Sequence, residues 1–200
     1  MAKIDSKSLS AGNFGSYFSS LNCPLLSVSG ETVTIGGRLS FYDANGYQFY
    51  IKWDDSAYSN MNCNFGHDVL VYYSDNFFYC EGLDPQSRRW YVRYEKIGDT
   101  VLWAANCNNS TGLSRLGMTD VALTDAATGT AYVHGKTLNY AAATGTIDYA
   151  DSTSLFNYND IKQLNDPNFM ACSTVTKGIT ITVGGKNYYT VHTNILMPLD

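Results

Sequence analysis

The pattern that most constrains this chain is a series of short alternating runs, each closed by a residue that reverses an extended backbone. "ETVTIGGRLSFY", "YQFYIKW", "DVLVYYS", "NFFYC", "RWYVRYEK" and "TVLWAAN" follow one another between Glu31 and Asn106, separated by Gly, Asn and Asp. A period of two puts successive side chains on opposite faces of a strand, and Gly, Asn and Asp supply the turn conformations between strands. A meander-like antiparallel sheet is therefore expected over the first half. Abundant Tyr and Asn, where a helical protein would carry Glu, Lys, Leu and Ala, support the same reading. At 200 residues and 44% hydrophobic composition the chain can bury one core, and 16% charged residues argues against global disorder.

Two departures from the β pattern are expected. Phe14, Tyr17, Phe18 and Leu21 recur at helical spacing before Cys23 and Pro24, which predicts a short N-terminal helix with Gly15 inside it. Asn159 is placed to cap a turn or two of helix carrying Ile161 and Leu164, ended by Pro167. The expected fold is all-β, an antiparallel β-sandwich or barrel-like meander with one or two short helices. One domain over 1–200 is the simplest organisation. The polar stretch "NCNNSTGLSRLGMTD" marks a possible subdivision near 107–127, between a 1–106 meander sheet and a 128–200 C-terminal β subdomain.

Loop length fixes which side chains face each other, so three hairpins can be assigned a register. In "RLSFYDANGYQFYIKW" a three-residue loop over Ala44, Asn45 and Gly46 sets Phe41 opposite Phe49 and Leu39 opposite Ile51. That leaves Arg38, Ser40, Tyr42, Gln48, Tyr50 and Lys52 on a polar face. A tight turn at Gly98 and Asp99 sets Tyr94 opposite Trp103 and Val92 opposite Ala105, with Trp90 on the same stripe and Tyr91, Arg93 and Glu95 on the other. In "ITITVGGKNYYTV" a three-residue loop over Gly184, Gly185 and Lys186 sets Ile181 opposite Tyr189 and Ile179 opposite Val191. Continuing that period brings Ile195 and Met197 to the apolar face of a last strand, and leaves Leu196 and Leu199 off it.

The chemistry-bearing motifs are sparse. Nucleophile elbows, phosphate loops and zinc-protease helices do not occur. Cys63 and His67, with Cys80 and Cys107, form the most metal-like set, but structural zinc normally draws on closely spaced ligand pairs. Five widely spaced cysteines without a C-x-x-C read instead as buried free thiols in a reducing compartment, and no metal or cofactor is expected. Asp54, Asp55, Asp75, Asp148 and Asp151 read as turn or loop acids, and His134 and His192 as isolated strand residues. Arg88, Arg89 and Arg93 among Trp90, Tyr91 and Tyr94 resemble a stacking nucleic-acid surface. A net charge of −5 favours local ion pairs for them and argues against nucleic acid or an anionic membrane as partner. Neither a leader's apolar core nor a spanning segment of roughly 18–20 apolar residues is present. Surface Tyr mixed with Asn suits either a sugar or a protein interface, and Tyr58, Asn60 and Tyr73 are the candidate carbohydrate-binding residues.

"GTIDYADSTSLF", "GITITVGGKNYYTV" and the terminal "TNILMPLD" resemble the C-terminal part of small bacteriophage virion proteins, tail or capsid appendage components. The resemblance covers about the last third of the chain and implies an enzymatically inert β-rich building block used in many copies. It implies homo-oligomerisation, contacts with other virion proteins, and residence in the virion after synthesis in the host bacterial cytoplasm. The candidate interface residues are Tyr189, Val191, Ile195, Leu196, Met197 and Leu199. A carbohydrate-binding or receptor-binding module of a phage tail is the alternative expectation.

Overall fold

The computed structural model describes residues 1–10, 12–44, 48–54, 56–62, 67–83, 89–108, 123–134, 136–141, 146–151, 162–164, 166–172, 175–192 and 195–199. The protein is mostly β, with a single short helix among the described residues. In chain order the elements are β1 (Lys3–Leu9), α1 (Phe14–Ser20), β2 (Leu26–Ser29), β3 (Thr32–Ile35), β4 (Leu39–Ala44), β5 (Gln48–Trp53), β6 (Ser56–Asn62), β7 (His67–Tyr73), β8 (Phe77–Leu83), β9 (Arg89–Ile97) and β10 (Thr100–Asn108). They continue as β11 (Leu123–Asp125), β12 (Ala131–His134), β13 (Lys136–Ala141), β14 (Thr146–Asp151), β15 (Lys162–Leu164), β16 (Met170–Cys172), β17 (Thr180–Val183), β18 (Lys186–His192) and β19 (Ile195–Pro198). Two compact units result, one of Lys3–Lys96 with Trp103–Leu116, the other of Ile97–Leu102 with Gly117–Asp200 and Met1–Ala2.

In the first unit a five-stranded antiparallel sheet of order β2-β3-β4-β5-β6 faces a sheet of order β1-β7-β8-β9-β10. Aromatic side chains fill the space between them. Phe41 of β4 lies 6.2 Å from Phe78 of β8 and 5.7 Å from Trp90 of β9, ring centre to ring centre. Helix α1 seals the same space, its Phe18 ring 5.0 Å from Phe41 and 6.3 Å from Phe78. Each such side chain contributes about 1.5–3 kcal/mol by leaving water. The helix is short because only Phe14, Tyr17 and Phe18 carry its apolar face and Pro24 soon follows. Gly15 has a packing reason to be there: a Cβ on it would fall 1.8 Å from the Gly30 carbonyl oxygen, in the turn between β2 and β3. Gly82 likewise leaves room for the indole of Trp90, its pairing partner across the ladder.

The first hairpin keeps the expected faces but not the expected partners. Phe41 sits opposite Ile51, Leu39 opposite Trp53 and Tyr42 opposite Tyr50, a displacement of two residues that leaves side-chain parity unchanged. Pairing thereby reaches the base of the hairpin, where the Asp54 amide donates to the Arg38 carbonyl at 2.9 Å. Of the expected loop residues, Ala44 instead ends β4 opposite Gln48, because the pairing extends further toward the turn, and Asn45 and Gly46 lie outside the described residues. The second hairpin turns at Gly98 and Asp99, with β9 ending at Ile97 and β10 beginning at Thr100. Both stripes of β9 are buried: Trp90, Val92 and Tyr94 on one side, Tyr91, Arg93 and Glu95 on the other.

The second unit holds the mixed ladder β11-β12-β15 and a six-stranded sheet of order β14-β13-β16-β19-β18-β17. Leu164 belongs to strand β15, parallel to β12, and not to the helical turn expected there; Asn159 and Ile161 lie outside the described residues. A distant strand partner outweighs the weak local helix signal. Pro167 instead enters a turn held by the Asp166 carboxylate, which accepts from the Asn168 amide at 2.8 Å and the Phe169 amide at 3.3 Å.

The closing hairpin corrects the predicted register by one residue. Ile181 pairs with Tyr188, Thr180 with Tyr189 and Val183 with Lys186, so the connection is the two residues Gly184 and Gly185. Their φ angles of 59° and 78° are the left-handed pair that the favoured two-residue hairpin turn requires. A slip of one exchanges the faces of a strand. Ile181 thus joins Leu196, with Met170, Val175 and Tyr188 packed around them. Strand β19 lies between β16 and β18, and Ile195, Leu196 and Met197 are all fully buried. An apolar run that fits neither face of an alternating strand is what a central strand covered on both sides requires.

Candidate functional site

Three places bring chemically distinctive residues together. On the outer face of the five-stranded sheet, register lines up Thr32, Tyr42, Tyr50 and Asn60 across β3 to β6. The Tyr42 and Tyr50 rings stack at 5.0 Å with 15° between their planes, and the Lys52 ammonium lies 5.5 Å from the Tyr42 ring centre. Thr34 and Ser40 follow in the next row with Lys52. Ring faces, hydroxyls and an ammonium arranged in this way can stack on and hydrogen-bond to a polyhydroxylated ligand.

At the hairpin base, three flat groups form a pile. The Arg38 guanidinium lies 4.5 Å from the Trp53 ring centre, and Trp53 stacks on Trp103 of β10 at 4.4 Å and 6°. Arg38 is oriented by a two-point contact with Asp54, Nε to Oδ1 at 2.9 Å and Nη2 to Oδ2 at 2.8 Å. The pairing holds the Asp54 carboxyl below its ordinary range and raises Arg38. Asp54 itself has φ of 50°, a conformation uncommon for a residue with a side chain. The sequence signal for this pile was Arg38 and Trp53 at the two ends of one hairpin; Trp103, fifty residues away, could not be attached to them without the fold.

The third place is the free side of β17. Among the described strands it has one neighbour, β18, and Ile179 just before it is 43% exposed. Thr190 ties the strand's start: its amide donates to the Ile179 carbonyl at 2.9 Å, and its hydroxyl oxygen accepts from the Ile179 amide at 2.9 Å. Residues of odd number on β17 therefore point their backbone groups at β18, and Thr180 and Thr182 point theirs away.

The sequence-predicted residues distribute as follows. Tyr73 is buried, and its hydroxyl donates to the Leu21 carbonyl at 3.2 Å; burial raises its pKa. Asn60 lies on β6 opposite Tyr50, and Tyr58 is on the same strand, their side chains being outside the described residues. Val191, Ile195, Leu196 and Met197 are buried within the chain, and Tyr189 and Leu199 are half-buried. Arg93 forms a buried ion pair with Glu95, Nη2 to Oε1 at 2.5 Å. Arg88 and the Arg89 side chain lie outside the described residues. Cys23 and Cys80 are free, buried thiols whose pKa values burial pushes up. Cys63 and the side chains of His67, Cys107, Cys172, His134 and His192 lie outside the described residues. Among the described residues no group of three His, Cys, Asp or Glu is placed to hold a metal ion, and no helix is long and apolar enough to cross a membrane.

The chain matches no family model, no curated protein and no solved structure.

Proposed function

We propose that this protein is a structural component of a bacteriophage virion, assembling through protein–protein contacts in a tail or capsid appendage and catalysing no reaction. Its partners are further copies of itself and other virion proteins, and it reaches the particle after synthesis in the host cytoplasm. The resemblance of the C-terminal third supports this reading. The observation that carries it is the β17 edge, which offers outward backbone groups and an exposed Ile179 beside a well-packed sheet. An open edge is a hazard to a solitary protein and an asset to one used in many copies. Mass spectrometry of purified particles from the phage encoding this chain is the test. Peptides at the abundance of other structural proteins are expected, and particles lacking them while the protein accumulates in lysates would refute the role.

A glycan-binding tail module is the second reading, favoured by the Tyr42 and Tyr50 stack with Lys52 on an outer sheet face. A glycan array probed with the multivalent protein checks it. Signal lost on Tyr42→Ala with Tyr50→Ala supports it, and an empty array removes it.

A further inference from the structure

We infer that β17 is completed by β17 of a second copy of this chain, running antiparallel across a two-fold axis. The inference rests on the assembly reading above and names its contact. The other edges are defended or poorly suited. Among the described strands, β1 carries Lys3, Asp5 and Lys7, β14 carries Asp148 and Asp151, and β15 is only three residues long and carries Lys162. β2 lies beside α1, with Val28 close to Gly15. β6 is rich in Ser and Asn, which offer little area across an edge. The segment Ile179-Thr180-Ile181-Thr182-Val183 has no charge, no proline and high strand preference, the composition that natural edges avoid unless they are used.

Register follows from which groups are available. Thr180 and Thr182 present the outward amides and carbonyls, so a two-fold centred on Ile181 pairs Thr180 of each copy with Thr182 of the other. That register sets Ile181 against Ile181 and the exposed Ile179 against Val183, extending one face across the axis. It also sets Lys177 against Gly185 and Lys186 against Thr176, so no like charges meet. A single strand pair is smaller than a standard stable interface, so the contact is weak alone and gains strength when many copies are held together.

Light scattering after size exclusion, at high micromolar concentration, tests the contact on the full chain, with Thr182→Pro and Ile179→Lys. Thr182→Pro removes an outward donor and leaves the backbone ladder with β18 intact, losing only the exposed bond from the Thr182 hydroxyl to Asn187 Oδ1. Ile179→Lys sets a charge at the edge and keeps the test open if the proline variant misfolds. Wild type at twice the 22.1 kDa chain mass, with dimerisation weakened at least tenfold in a variant that keeps its circular dichroism, is expected. An assembled wild type matched by folded variants of the same mass overturns the β17 contact and leaves the assembly reading standing. A wild type that stays at the chain mass at every concentration overturns self-pairing outright, and particle mass spectrometry then decides the virion role separately.

Discussion

Gly15→Ala sets two physical effects of opposite sign against each other. In an open helix, replacing Gly by Ala stabilises by about 1 kcal/mol, because Gly loses more backbone freedom on folding. At Gly15 the added Cβ would sit 1.8 Å from the Gly30 carbonyl oxygen, where real contacts do not fall below 3.0 Å. The obstacle is backbone, in a turn where Gly30 already holds a φ of 58°, so it cannot swing aside as a side chain would. Overpacking of this kind costs about 1–3 kcal/mol. If α1 backs away, the Gly15 amide also loses its 2.9 Å contact with the Glu31 carboxylate, and hydrogen bonds to charged groups are worth about 1.5–3 kcal/mol. The clash wins, and a net loss of about 2 kcal/mol is expected. All three tryptophans, Trp53, Trp90 and Trp103, belong to the first unit, so urea unfolding followed by tryptophan fluorescence reads the unit that contains α1. A variant as stable as wild type, or more stable, would refute the packing of α1 against the β2 to β3 turn.

Two further outcomes are expected. Gly185→Val forces a β-branched residue into a φ of 78°, which costs about 1–2 kcal/mol, and thermal melting of the second unit should shift down accordingly; an unchanged melt would restore the three-residue loop. Burial raises Cys80 and Tyr79 well above their ordinary values of 9.0 and 10.0, so the unfolded state releases protons first as pH rises. Stability is then fully present below about pH 9 and falls at more alkaline pH, and a denaturant midpoint that does not fall between pH 8 and 11 would contradict it.

Much of the first sheet pair was legible in the sequence because alternation and turn residues act locally. The runs containing Phe41, Phe78 and Trp90 became strands, and the turn at Gly98 and Asp99 fell where its residues placed it. β1 was not legible. "KIDSKSL" has no apolar stripe, and its strand form comes from pairing along its length with β7, from Lys3 with Tyr73 to Leu9 with His67. β15 escaped for the same reason, since its parallel partner β12 is distant in sequence. The burial of Arg93 and Glu95 also depends on what the fold brings over a face that composition marks as polar. At the C-terminus a single choice of loop length reversed the faces of β17, which is why Leu196 had no place in the predicted pattern and a buried one beside Ile181 in the structure.

Amide hydrogen exchange at Thr180 and Thr182 tests the assembling edge most directly. Both amides point away from β18, whereas that of Ile181 points toward it. If a second copy completes the strand, exchange at Thr180 and Thr182 slows as protein concentration rises while Ile181 stays constant. Exchange at those two positions that is independent of concentration, in a sample light scattering shows to be assembled, would contradict the account.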